Sequence, residues 1–214
     1  MSSLSLATLF RWTPSVNVEY NLNTNVMQMP LSFNQDGLLP PGDHPLTLNQ
    51  LKDSLLVRGP NPRPEAGWDA GWRLALVERA EILIKQLWEI GIDDIYLDGS
   101  FTEEKAHPND IDGYFVCDVF DFASGAIQRK LNALDPHKIW TWDPAERRAY
   151  RDYVKKQLPM WHVYRVEFYP HFGQSSGIKD SLGHDLLFPS AFRLQRGTDA
   201  PKGIIQVVQE GRTS

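Results

Sequence analysis

The sequence predicts an α/β (α+β) fold: a small mixed β-sheet with helices on one face, entered through an extended N-terminal arm and completed by C-terminal strands. Three features of the chain point there. Between Asp69 and Ile90, the residues Trp72, Leu76, Ala80, Leu83 and Leu87 recur every three or four positions, with Val77, Ile84 and Trp88 alongside. That is a broad apolar stripe at helical spacing. Short segments of strand character follow at residues 95–97, 110–116, 163–169 and 203–208. Ahead of the long helix, turn-forming clusters at residues 34–37, 40–42 and 59–64 punctuate the chain. Residues 1–66 therefore read as an arm packing on a core formed by residues 67–214, within one domain overall.

The elements follow in order. Thr47 caps a short helix carrying Leu48, Leu51 and Leu55. Gly91 ends the long helix. The strand Ile95-Tyr96-Leu97 runs into Asp98-Gly99-Ser100-Phe101 and a polar stretch that closes on His107-Pro108-Asn109. Residues 110–116 alternate as a second strand. A helix is expected over Ser124–Leu134, burying Ile127, Leu131 and Leu134. Asp143, Pro144 and Glu146 have the pattern of a capped helix start, and that helix is expected to run until just before Pro159. Val163–Tyr169 and Gly203–Val208 complete the strands.

Composition narrows the function classes. The chain has 214 residues, 42% hydrophobic and 11% aromatic, enough to bury one substantial core. A net charge of −5 and a pI near 5.7 argue against a protein that coats nucleic acid non-specifically, since such binding needs a large positive field. A local basic patch is still compatible with it. Cys117 is the single cysteine, so no internal disulfide forms and a cytoplasmic setting is expected. No run of about eighteen apolar residues is present to span a bilayer. The mildly apolar opening, interrupted by Arg11 and Trp12, lacks the basic leader of a signal peptide and reads as part of the fold or a frayed end.

The chemistry concentrates between Leu97 and Asp112. Asp110 and Asp112 lie two apart on a strand, so both side chains leave one face, close enough to share a hard cation that prefers oxygen. Gly99 and Ser100 stand where a strand meets a turn. There glycine lets a phosphate approach backbone N–H groups and the serine hydroxyl adds a hydrogen bond. Phosphoryl-type transfer needs positioning and charge neutralisation, which carboxylate-held magnesium supplies.

The order strand, Gly99-Ser100-Phe101, nine residues between Ser100 and Asp110, then Asp110-Ile111-Asp112 on a strand resembles the signature of the DNA polymerase β-like nucleotidyltransferase superfamily. Residues 33–42 and Lys202-Gly203-Ile204-Ile205 are similar to a functionally uncharacterised bacterial subgroup of it. The resemblance implies transfer of a nucleoside monophosphate from a nucleoside triphosphate, ATP among them, to an acceptor, with release of pyrophosphate. The acceptor is an RNA end, a protein or a small molecule. It also implies two Mg2+ ions, with Mn2+ as the substitute, held by Asp110, Asp112 and a third carboxylate matching Glu167. Glu replaces the commoner Asp there. Gly99, Ser100 and Lys202 are the nucleotide-binding candidates.

Each element has a plainer reading. A lone Gly-Ser or Asp-x-Asp carries little weight; their joint order carries the assignment. Glu167 competes with a simple surface pair to Arg165 on an edge strand. Asp98 is expected to order the turn rather than bind metal. Arg147, Arg151 and Lys155, flanked by Arg148 and Lys156, share one face of the expected helix, either as a seat for a polyanion such as RNA or, in the favoured reading, as a solvated face. Arg196 and Lys202 flank a turn, where they either meet phosphates or serve as turn charges. His107 lies in the loop near the site, and no His/Cys spacing suggests zinc. The alternative function is a catalytically silent binding or regulatory protein, antitoxin-like or effector-sensing, that keeps this fold.

Overall fold

The computed structural model describes residues 31–60, 66–180 and 182–211. The expectation for the opening residues lies outside them. Strand β1 (Asp43–Leu46) is followed by two short helices, α1 (Leu48–Asp53) and α2 (Leu55–Arg58). Thr47 caps α1 as its position predicts: its hydroxyl accepts from the Gln50 amide, and the Gln50 side chain accepts from the Thr47 amide. The long helix α3 (Ala70–Glu89) begins at Asp69, whose carboxylate accepts from the Trp72 amide at 2.9 Å. It ends where Gly91 turns left-handed at φ +87°.

The chain continues as β2 (Ile95–Asp98), a single 3₁₀ turn (Gly99–Thr102), β3 (Ile111–Val116), α4 (Val119–Ala123) and α5 (Ala126–Leu134). Then come α6 (Pro159–Tyr164), β4 (Val166–His171), the two-stranded β5 (Ser175–Lys179) and β6 (Asp185–Leu187), α7 (Phe188–Phe192) and β7 (Ile204–Val207). The main sheet has the order β1-β7-β2-β3-β4. β2 runs antiparallel to both neighbours, whereas β1–β7 and β3–β4 are parallel pairs, so the sheet is mixed.

Strand alternation splits the sheet into two unlike faces. Ile95, Leu97, Ile111, Phe115, Val166, Phe168, Ile205 and Val207 point into the core, under Leu76, Val77, Ala80, Leu83, Ile84 and Leu87 of α3. Each such buried aliphatic side chain contributes about 1.5–3 kcal/mol. The opposite face carries two cross-strand rows: Asp98, Asp112 and Glu167, and beside them Tyr96, Tyr114 and Tyr169. Phe188 and Phe192 of α7 pack on the tyrosines, with Tyr114 and Phe192 ring centroids 5.3 Å apart.

Three expectations need correction. The segment ahead of α3 is part of the core: β1 pairs with β7, and Leu46, Leu48, Leu51, Leu56 and Val57 are buried. The helix expected after Asp143 stops after one 3₁₀ turn, Pro144–Glu146. Its cap forms, with Asp143 accepting from the Ala145 amide, but Arg148 and Gln157 exchange backbone hydrogen bonds instead, at 2.9 Å each, which closes residues 148–157 into a loop. The strand expected from Val163 starts only at Val166, because residues 159–164 form α6 and Arg165 caps it in a left-handed conformation.

Candidate functional site

The site is built where β2 ends. Gly99 adopts φ +76°, and a Cβ there would stand 2.7 Å from Asp112 Oδ2. Both the backbone conformation and the contact require glycine, so the turn passes within touching distance of the carboxylate. Ser100 is half-buried, and among the described residues its hydroxyl makes no hydrogen bond. Thr102 closes the turn, its hydroxyl 3.1 Å from the Gly99 carbonyl oxygen and 3.4 Å from Asp98 Oδ1. Arg73, fully buried on α3, fixes the segment from below by donating to the carbonyls of Leu56, Phe101 and Lys105. Burial lowers its pKa to about 10.

Register places the carboxylates side by side. Asp98 faces Asp112 across the β2–β3 ladder, and Asp112 faces Glu167 across β3–β4. Asp110 immediately precedes β3. Burial pushes Asp112 up to about 8, and the charges of Asp110, Asp98 and Glu167 add to the shift against a weaker contribution from Arg196. Among the described residues the Asp112 carboxylate accepts no hydrogen bond. Asp110 is also raised, first by burial, with the Trp161 indole N–H opposing as it donates to Asp110 Oδ2 at 2.6 Å. Asp98 is raised to about 6 by burial, opposed by Lys202 and the Gly99 amide.

Lys202 does not stand free to meet a phosphate. It is 3% exposed, lies 3.0 Å from Asp98 Oδ1, and donates to Glu103 Oε1 at 2.7 Å and the Gly99 carbonyl at 3.2 Å. All three ammonium donors are spent inside the protein. It supports the turn from beneath rather than lining it.

Glu167 is equally occupied. Oε1 accepts from the Leu158 amide at 2.7 Å, Oε2 accepts the Tyr169 hydroxyl, and the Arg147 guanidinium lies 3.6 Å away. Burial and the Glu167 charge push the Tyr169 hydroxyl well above its ordinary pKa. Glu167 is 4% exposed, and Arg165 lies off the strand, so the surface Arg165–Glu167 pair does not form. Among the described residues no group of three or more His, Cys, Asp or Glu is placed to hold a metal ion. Of the three carboxylates expected to share a metal, Glu167 has both oxygens engaged by protein donors, Asp110 has one engaged by Trp161, and Asp112 has neither engaged among the described residues. Asp110 and Asp112 keep the free carboxylate oxygens that a hard divalent cation takes. Asp112 stands among three further carboxylates with no donor of its own, and magnesium is commonly held by one or two carboxylates with water and substrate phosphate completing its shell.

His107, in the loop ahead of β3, packs against the start of α3, stacked on Trp72 with centroids 5.3 Å apart and Nδ1 3.1 Å from Asp69 Oδ2. Trp161 and Tyr169, which hold Asp110 and Glu167, were not singled out by sequence reasoning, because neither belongs to a local motif. Cys117 is partly buried against the core.

Residues 31–208 match the Family of unknown function (DUF6932). The chain belongs to that family. The DUF6932 match takes in every strand of the main sheet as well as the Gly99 turn and the carboxylate row. No curated protein and no solved structure matches the chain. No helix among the described residues is long and apolar enough to cross a membrane.

Proposed function

We infer that this DUF6932 chain is a metal-dependent nucleotidyltransferase, similar to the polymerase β-like enzymes, that moves a nucleoside monophosphate from a triphosphate to an acceptor. The observation that carries the reading is Asp112: a carboxylate crowded by three others, beside a glycine turn that leaves no room for a side chain. A carboxylate so placed takes up either a proton or a cation, and the Gly99 turn lies against it. In the reaction, the acceptor oxygen forms a bond to the α-phosphorus and the bond from that phosphorus to the bridging oxygen breaks. Pyrophosphate takes the electron pair and the acceptor proton leaves to solvent. Gly99 and Ser100 hold the triphosphate. Asp110 and Asp112 hold Mg2+, or Mn2+ in its place, which neutralises phosphate charge when bound. Lys202 and Arg73 keep the turn in position, and Glu167 ties β4 to the loop ahead of α6. The setting proposed is cytoplasmic.

The test is thermal stability with each ribonucleoside triphosphate, with and without magnesium, in the wild type and in Asp110→Asn/Asp112→Asn, followed by an assay for pyrophosphate release. A ligand at a hundred times its dissociation constant adds about 2.7 kcal/mol, a shift of a few degrees. A magnesium-dependent shift lost in the double variant is expected; no shift with any triphosphate would sink the reading. The saturation of Glu167 favours a second reading, a silent protein of the same fold that binds nucleotide without turnover. Binding with no pyrophosphate release for any acceptor class would select it.

A further inference from the structure

The loop closed by Arg148 and Gln157 concentrates positive charge in an acidic chain. Residues 147–156 hold five cations and one carboxylate, Asp152, while the whole chain carries −5. Arg147 is turned inward, donating to the Lys156 carbonyl and the Tyr169 hydroxyl. Arg148, Arg151, Lys155 and Lys156 are exposed, and among the described residues none has an anionic partner.

Aromatic rings alternate with these charges and lead to the site. Tyr150 and Tyr153 pack on Trp161 with centroids 5.0 and 5.4 Å away. The Arg165 guanidinium lies 4.2 Å over Tyr150 and 3.8 Å over Trp161. Trp161 in turn holds Asp110. At the tip, Val154 is fully exposed. One uninterrupted set of contacts thus joins a solvent-facing basic loop to the candidate metal carboxylate.

We propose that this loop binds single-stranded nucleic acid and delivers the strand's end to Asp110 and Asp112. Unpaired strands offer what the loop matches, phosphates at regular intervals and bases with open π-faces. A duplex hides its bases, and an acidic peptide supplies charge without rings. Strand binding stands on the loop alone; that the terminal hydroxyl is the acceptor rests on the transferase reading.

Fluorescence anisotropy of the full chain with a labelled single-stranded RNA of about a dozen nucleotides, without triphosphate, tests it. Arg151→Glu/Lys155→Glu is expected to weaken binding at least about tenfold and to flatten the log–log salt slope by about 1.4, as for two lost phosphate contacts. Tyr153→Ala is expected to cost about fivefold or more, with Tyr153→Phe restoring binding at unchanged melting temperature. Absence of salt-dependent binding by the wild type, equal binding by the charge-reversed variant, or displacement by polyglutamate as effective as by unlabelled strand would each overturn the proposal. Strand binding by a protein that shows no magnesium-dependent triphosphate shift would support the loop and overturn the transferase reading.

Discussion

Asp98 and Asp112 face each other across one antiparallel ladder, yet they meet opposite surroundings. Asp98 has a dedicated cation, Lys202, brought in by the segment ahead of β7. Asp112 has only other carboxylates and the distant field of Arg196. Burial raises both, but Asp98 stops near 6 and Asp112 near 8. The fold therefore supplies a cation to one end of the row and none to the middle, so that without a metal Asp112 keeps a proton where Asp98 has lost its own. A buried charge kept without a partner is costly, which is why such sites mark places where a ligand completes the electrostatics.

The sharpest way to break this contrast is Lys202→Met, which gives Asp98 the condition of Asp112. Leaving a buried pair half-made is expected to cost about 3–5 kcal/mol in urea unfolding, with Asp98→Asn in the same background recovering part of it. Next comes Gly99→Ala. A Cβ at φ +76° against the Asp112 carboxylate is expected to cost about 1–3 kcal/mol and to abolish any magnesium-dependent nucleotide shift.

Titration separates the two aspartates. Each has a folded pKa above its unfolded value, so the folded state holds a proton that the unfolded chain has lost. Stability in the absence of divalent metal is therefore highest below about pH 4 as far as these groups are concerned, and it declines as pH rises. The Asp98 contribution is expected to end near pH 6 and that of Asp112 near pH 8. Asp112→Asn is expected to remove the later decline and to stabilise the metal-free protein at alkaline pH by at least about 1.4 kcal/mol, the equivalent of one pH unit in proton affinity. A wild type whose unfolding free energy is flat between those limits would show that Asp112 is not held as described. The smallest effect belongs to Arg151→Glu, which touches none of these groups and is expected to change stability by less than about 0.5 kcal/mol.

Much of the scaffold was legible in the chain because its signals are local. The apolar stripe of α3 and the alternation of β2 and β3 need no knowledge of the rest of the molecule, nor does the Thr47 cap. The stretch after Asp143 misled for the same reason. A cap and a proline satisfy the first amides of a helix, but a helix persists only with an apolar face to bury. Here Tyr150 and Tyr153 pack on Trp161 and the Leu158 amide goes to Glu167, so the chain follows those contacts instead. The candidate site was legible as a motif at Gly99, Ser100, Asp110 and Asp112 and much less so at its supports.

By itself, then, the sequence determined a mixed α/β sheet, a glycine turn at the end of one strand and an Asp-x-Asp at the start of the next, since spacing along a strand decides which face a side chain takes. Only the tertiary structure decided which carboxylates are already satisfied. Lys202 reaches Asp98 from the last strand's approach, Trp161 reaches Asp110 from 51 residues away, and Tyr169 with the Leu158 amide closes off Glu167. A hydrogen bond or ion pair between distant segments leaves no periodic trace in the chain, because it depends on how the sheet and its loops pack rather than on neighbouring residues.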